Sequence, residues 1–130
     1  MIDHMSISVT NFDRSRDFYG RALQPLGYEV VMEFSRDQIP DLPVERVAGL
    51  GAGRKPDFWL QPAPQVVPSH IAFGCTTRAM VDAFYEAALA AGGKPNGAPG
   101  PRPQYHANYY GAFVLDPDGY NVEAVCHLPE

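Results

Sequence analysis

Three residues of this 130-residue chain could do chemistry together: His4, His70 and Glu123. Two imidazoles and one carboxylate form the facial triad that holds a divalent metal and leaves positions open for a substrate. Fe(II), Mn(II), Zn(II) and Ni(II) all accept such donors, so the triad does not choose among them. Glu123 is the most informative of the three. It stands between Val122 and Ala124 in an apolar run, where a carboxylate is costly unless paired or bound to a cation. Taken singly, each histidine is as well explained as a strand residue bonded to backbone, and Glu123 as a carboxylate facing water. It is their places in a repeated pattern that join them.

The elements that must position them can be read from period and turn chemistry. Asp116-Pro117-Asp118-Gly119 is a turn: Pro117 presets φ, and Gly119 supplies a positive φ at little cost. The aromatic and β-branched runs Tyr109 to Leu115 and Tyr120 to Cys126 flank it, which predicts a hairpin carrying Glu123. Ile2 to Val9 alternates as a strand, with His4, Ser6 and Ser8 on one face. Thr10 or Asn11 can cap a helix that runs to Leu23, before Pro25 and Gly27. Strands are expected over 28–34, 44–51 and 57–61, with a polar loop over 35–43. Residues 68–76 form a strand containing His70, residues 78–91 a helix stopped by Gly92-Gly93, and residues 94–105, with four prolines, a loop.

A shift of 66 residues lays His4 on His70, Phe18 on Phe84, Tyr19 on Tyr85, Ala22 on Ala88, Leu23 on Leu89 and Gly27 on Gly93. Matches spread over strand, helix and helix stop indicate an internal repeat. The chain therefore reads as one α+β domain of two β-α-β-β-β repeats, 1–64 and 68–130, forming a curved mixed sheet around a cleft. Equivalent strands then carry His4 and His70 to related places on the concave face.

Composition narrows the function. A net charge of −5 and few, scattered Lys and Arg speak against nucleic-acid or anionic-membrane surfaces. No apolar run approaches the roughly 20 residues that span a bilayer. The N-terminal residues lack the basic and apolar regions of a signal peptide, and Cys75 and Cys126 read as buried free thiols, so a cytoplasmic location is expected.

The chain resembles the vicinal oxygen chelate superfamily, which holds glyoxalase I, extradiol dioxygenases, fosfomycin-resistance transferases and bleomycin-resistance proteins. The resemblance covers nearly the whole chain. It is carried by His4-Met5-Ser6-Ile7-Ser8-Val9, the helix with Ser15, Phe18-Tyr19 and Leu23, His70-Ile71-Ala72-Phe73, and Phe113 to Gly119 closing with Glu123. It implies the glyoxalase-like fold and metal ligands at His4, His70 and Glu123. The chain departs from glyoxalase I at two places. Trp59 stands where that enzyme brings a fourth ligand, and Ser8 where bacterial glyoxalases carry a glutathione-binding arginine. Three ligands are more similar to the dioxygenases and fosfomycin enzymes.

The resemblance also suggests partners for the triad. Ring cleavage needs a nearby acid–base histidine and a tyrosine, and His106, Tyr109 and Tyr110 precede the last hairpin; His106 and Tyr110 are the expected proton-transfer residues. Ser6 falls where fosfomycin enzymes have a threonine. Arg102, between Pro101 and Pro103, is the cation expected at the cleft mouth, able to hold a substrate carboxylate or phosphonate. Trp59 would give an aromatic wall. Two functions follow: a divalent-metal enzyme of lyase, isomerase or dioxygenase type acting on a small oxygen-rich substrate, or a bleomycin-resistance-like protein that sequesters a flat ligand between walls such as Trp59 and Tyr110. A homodimer is expected, with the cleft either inside one chain or shared between two.

Overall fold

The computed structural model describes all residues 1–130. Eight strands and two helices run in the order β1 (Met5–Val9), α1 (Phe12–Ala22), β2 (Tyr28–Ser35), β3 (Arg46–Ala52), β4 (Phe58–Pro62), β5 (His70–Cys75), α2 (Arg78–Ala90), β6 (Lys94–Pro101), β7 (Tyr110–Leu115) and β8 (Asn121–Cys126). They form two four-stranded mixed sheets of matching order, β1-β4-β3-β2 and β5-β8-β7-β6. In each, the first strand pairs parallel with the last and the others pair antiparallel. This is the β-α-β-β-β pattern expected from the 66-residue repeat.

Local chemistry sets the helix limits. The Asn11 side chain accepts from the Arg14 N–H at 3.1 Å, and the Thr77 hydroxyl accepts from Met80 N–H at 3.2 Å, so each helix begins on a side-chain cap. Residues 94–101, expected as a loop, are strand β6. Prolines are tolerated there because β6 is a sheet edge, and its pairing with β7 is interrupted twice, between Pro95 and Gly97 and between Gly97 and Gly100.

Membership of the shared apolar core alternates along the central strands. Val122, Ala124 and Cys126 on β8, and Ala112 and Val114 on β7, share one core with Phe58 and Leu60 on β4 and Phe18 and Tyr19 on α1. Edge-to-face ring contacts run through that core, from Phe18 to Tyr19 (5.0 Å), Tyr19 to Phe58 (5.1 Å) and Phe58 to Phe73 (5.3 Å), crossing from one repeat to the other. Both sheets thus turn their helix-bearing face to a common core, and the opposite faces look away from it.

The Asp116–Gly119 turn fastens this arrangement. Asp118 accepts from the Thr10 N–H at 3.0 Å and from the Thr10 hydroxyl. Tyr120 donates to the Ser8 carbonyl at 2.8 Å. Buried Asp116 accepts from the Tyr19 hydroxyl of the first repeat and from the N–H groups of Asp118 and Tyr120. Cys75 and Cys126 are register partners, buried and free, and burial pushes the Cys75 thiol up to about 11. No helix is long and apolar enough to cross a membrane.

Candidate metal and substrate site

The open face of the second sheet carries a cleft of about 430 Å³ lined by His70, Tyr105, Tyr109, Phe113, Asn121 and Glu123. Its centre is Glu123. The pleat sends this side chain away from the core shared by Val122 and Ala124, yet it is only 2% exposed. Two neighbours cover it. His70 Nε2 lies 3.0 Å from Oε1, and the Tyr109 hydroxyl donates to Oε2. Gly111 leaves the space for this: a Cβ there would come within 3.1 Å of Glu123 Oε2 and 3.2 Å of the Tyr109 ring. Phe113, opposite Glu123 in the β7–β8 register, stacks on His70 with ring centroids 6.1 Å apart.

The hydrogen-bond roles of His70 are the most informative detail. Nδ1 lies 3.0 Å from the backbone carbonyl of Asn121, and Nε2 lies 3.0 Å from Glu123 Oε1. Both partners are acceptors, while a neutral imidazole has one N–H. That N–H serves either the Asn121 carbonyl from Nδ1 or Glu123 Oε1 from Nε2. With the proton on Nδ1, Nε2 turns a lone pair toward a carboxylate oxygen, a conflict that a cation between them relieves. A backbone carbonyl that accepts from the far ring nitrogen is the usual outer support of a metal-binding histidine. The 3.0 Å separation also equals the edge spanned by two adjacent ligands of an octahedral ion with bonds of about 2.1 Å. His70 and Glu123 therefore fit a divalent cation.

His4 is not with them. It is 59% exposed, just before β1, and its Nδ1 pairs with Asp3 at 2.7 Å. The chain by itself gathers no group of three or more His, Cys, Asp or Glu side chains able to hold a metal. Of the two arrangements left open, a cleft inside one chain does not bring the three residues together, and the reason is the shared core: the faces bearing Ser6 and Glu123 both point away from it.

The other expected site residues divide in the same way. Ser6 and Trp59 are register neighbours on the open face of the first sheet. Trp59 lies over Gly49, where a Cβ would meet the indole at 2.9 Å, and stacks with Phe34 at 6.4 Å. Neither lines the cleft at Glu123. Tyr110 belongs to the helix side: its hydroxyl donates to Asp82 Oδ1 of α2 at 2.7 Å, and Arg78 sits over its ring. The strand pleat gives the cleft to Tyr109 instead. Parity could have shown it, since Gly111 and Phe113 share that face while Ala112 and Val114 are core.

His106 sits beside the cleft and touches it only through ring contact with Tyr109, at 5.4 Å. Its Nδ1 accepts from the Asn108 N–H at 3.1 Å, so in the neutral ring Nε2 carries the proton toward His127 Nδ1, 2.8 Å away. Nδ1 is thus occupied within the 102–109 loop and Nε2 in holding that loop to the C-terminal segment. Arg102, expected at the cleft mouth, is not among the lining residues; its guanidinium carbon is 5.5 Å from the Phe113 ring centroid and its Nη atoms donate to the Gly100 and Ala98 carbonyls. Burial raises the Tyr109 hydroxyl to about 12, aided by its hydrogen bond to Glu123 and that carboxylate's charge; the nearby Arg102 cation opposes the shift. At neutral pH Tyr109 is therefore a fixed donor.

Comparison with known proteins bears on this geometry. The family model described as Glyoxalase/Bleomycin resistance protein/Dioxygenase superfamily matches residues 1–124. A glyoxalase/bleomycin resistance protein from Albidiferax ferrireducens superposes with a TM-score of 0.75 at 23% identity, covering 98% of both chains. Glyoxalase I from Zea mays superposes with a TM-score of 0.71 at 26% identity, over 96% of this chain and 45% of that one. This chain thus spans under half of the maize enzyme. A glyoxalase/bleomycin resistance protein/dioxygenase family enzyme from Burkholderia phytofirmans gives a TM-score of 0.67 at 21% identity, covering 98% of each chain. No curated protein matches the chain.

Proposed function

The chain belongs to the Glyoxalase/Bleomycin resistance protein/Dioxygenase superfamily, and from that premise we propose that it is a divalent-metal enzyme whose site is completed by a second copy of itself. His70 and Glu123 of one chain and His4 of another would hold the ion. The observation that carries this reading is the placement of His70 between two acceptors, Nδ1 at the Asn121 carbonyl and Nε2 3.0 Å from a buried carboxylate oxygen, so that with its proton on Nδ1 the ring would offer Nε2 to an ion held by Glu123. The outward-facing sheets support the shared arrangement, because a second copy can place its first sheet over the second sheet of this one. When bound, the metal would act as a Lewis acid toward adjacent oxygens of a small substrate.

The chain's own groups have definite tasks in this reading. Tyr109 ties down Glu123 Oε2, leaving Oε1 to face the ion, and keeps a proton at its hydroxyl next to the reacting space. Phe113 and Tyr105 form aromatic walls of the cleft. His106 takes no direct part. The reaction belongs to the lyase, isomerase or dioxygenase types of this superfamily. Sequestration without chemistry is the weaker alternative, because Tyr110, one of its two expected walls, is packed against α2.

Complementation tests the proposal. Metal binding by Mn(II), Ni(II) or Zn(II) is measured for the unsubstituted protein, His4→Ala and His70→Ala, free of any His tag, together with mass in solution. Each variant should lose the ion. Co-refolding the two variants should restore one site in each mixed dimer, since one of its two sites then carries no substitution. Unchanged metal content in His70→Ala, or no recovery on mixing, would refute the reading.

A further inference from the structure

We propose that the 102–109 segment is a strap released by acid: the neutral hydrogen bond between His106 and His127 pins it over Glu123, and one proton taken up by that pair lets it go. The strap covers the cleft, because Tyr105 and Tyr109 are two of its walls and Tyr109 donates to Glu123. The proposal concerns this cover and holds whether or not an ion binds beneath it.

Few bonds hold the segment. Residues 103–108 are all exposed. Its base is closed by the Arg102 N–H, which donates to the Tyr109 carbonyl at 2.8 Å. Inside it, the Tyr105 N–H donates to the Arg102 carbonyl at 3.0 Å and the Tyr109 N–H to the His106 carbonyl at 3.2 Å. The side chains of 103–109 make two hydrogen bonds to the rest of the chain, His106 to His127 and Tyr109 to Glu123. A segment with exposed backbone and few long-range contacts opens at small cost, so one bond weighs heavily in its position.

The protons of the neutral histidine pair can be placed in one way. The Asn108 N–H donates to His106 Nδ1 at 3.1 Å, so that ring carries its proton on Nε2, and His127 Nδ1, 2.8 Å away, must accept it. His127 then holds its own proton on its Nε2. A further proton on His127 Nδ1 would confront the His106 N–H, and one on His106 Nδ1 would confront the Asn108 N–H. The first proton therefore breaks one of the two bonds wherever it lands, and a second sets like charges on rings whose centroids are 5.1 Å apart. The same arithmetic speaks against a metal ion between the rings, since His106 Nε2 could ligate only with its proton moved to Nδ1, facing Asn108. The titratable and charged groups about the pair are Tyr109, against both rings; Tyr105 and Glu123, each in contact with Tyr109; Arg102, at the base of the strap; and Glu130 and Arg78, which pair with each other at 3.5 Å beyond His127. Imidazoles ordinarily take up a proton at about pH 6.5, so the strap holds at neutral pH and above and is released in mild acid. The competing cause of loosening in acid is protonation of His70 or Glu123 beneath Tyr109, and removing His127 separates the two.

The test is amide hydrogen exchange of Tyr105, Asn108 and Tyr109, corrected for intrinsic rate, in chelator-treated protein at about pH 8 and about pH 5, for the unsubstituted protein and His127→Ala. In the unsubstituted protein, protection should fall by about fivefold or more at the lower pH, as for loss of one hydrogen bond, while the amides of β8 keep theirs. His127→Ala should show the low protection at both pH values. Nitrogen spectra of the imidazoles at the higher pH should find His106 protonated at Nε2 alone. If His127→Ala does not fold, those spectra and the exchange of the unsubstituted protein decide, since the fall in protection should track protonation of the pair. Equal protection at the two pH values, a fall shared by β8, a like fall in folded His127→Ala, or a His106 proton on Nδ1 at the higher pH overturns the proposal. No ion enters the measurement, so its failure leaves the metal reading standing, and failure of the metal reading leaves this one.

Discussion

Replacing Tyr109 by Phe removes a single hydroxyl and keeps the ring against Tyr105, His106 and His127. That hydroxyl is the hydrogen-bond partner of Glu123 Oε2, and the Glu123 side chain is only 2% exposed. A buried carboxylate oxygen would be left unpaired, and a hydrogen bond to a charged group is worth about 1.5–3 kcal/mol. For a domain of this length the melting temperature should fall by about 5–12 °C. The assay is thermal or urea unfolding with chelator present, so that no ion compensates. A second background makes the reasoning specific. Glu123→Leu removes the costly carboxylate and frees two groups that can reach water, so it should lie within about 1 kcal/mol of the unsubstituted protein or above it. Adding Tyr109→Phe to Glu123→Leu should then cost almost nothing. A coupling below about 0.5 kcal/mol in this cycle would refute the account of Tyr109 and Glu123 as one unit.

Two further outcomes are expected. In ultraviolet titration the Tyr109 phenol should ionise near 12, above the ordinary value of 10, and Glu123→Gln should bring that step downward. A phenol raised in the folded state adds stability that is complete below its unfolded value and lost as pH climbs, so the contribution of Tyr109 should vanish between about pH 10 and 12; a titration unchanged by Glu123→Gln contradicts this. Glycine substitutions should split by surroundings. Gly20 sits inside α1 with nothing near its missing Cβ, so Gly20→Ala should stabilise by about 0.5–1 kcal/mol. A Cβ on Gly93 would lie 2.4 Å from Val114, so Gly93→Ala should destabilise by about 1–3 kcal/mol in urea unfolding; equal midpoints for the two would contradict the packing.

Residue type and local period determined much of this protein unaided. The 66-residue echo from His4 to His70, the caps at Asn11 and Thr77 and the Asp116–Gly119 turn define two like units, because helices and hairpins are dictated by nearby residues. Glu123 also declared itself, as a carboxylate in an apolar run. Tyr109 over Tyr110 was available from strand parity. Strand β6 was hidden, since its prolines are acceptable only at an edge, and being an edge is a property of the whole sheet. Two other things belonged to the tertiary structure alone. The contact of His70 Nδ1 is with a backbone carbonyl, that of Asn121, which no side chain announces. The separation of His4 from Glu123 follows from the helix-bearing faces burying each other, since sequence marks which face of a sheet is apolar but not which apolar face it will meet.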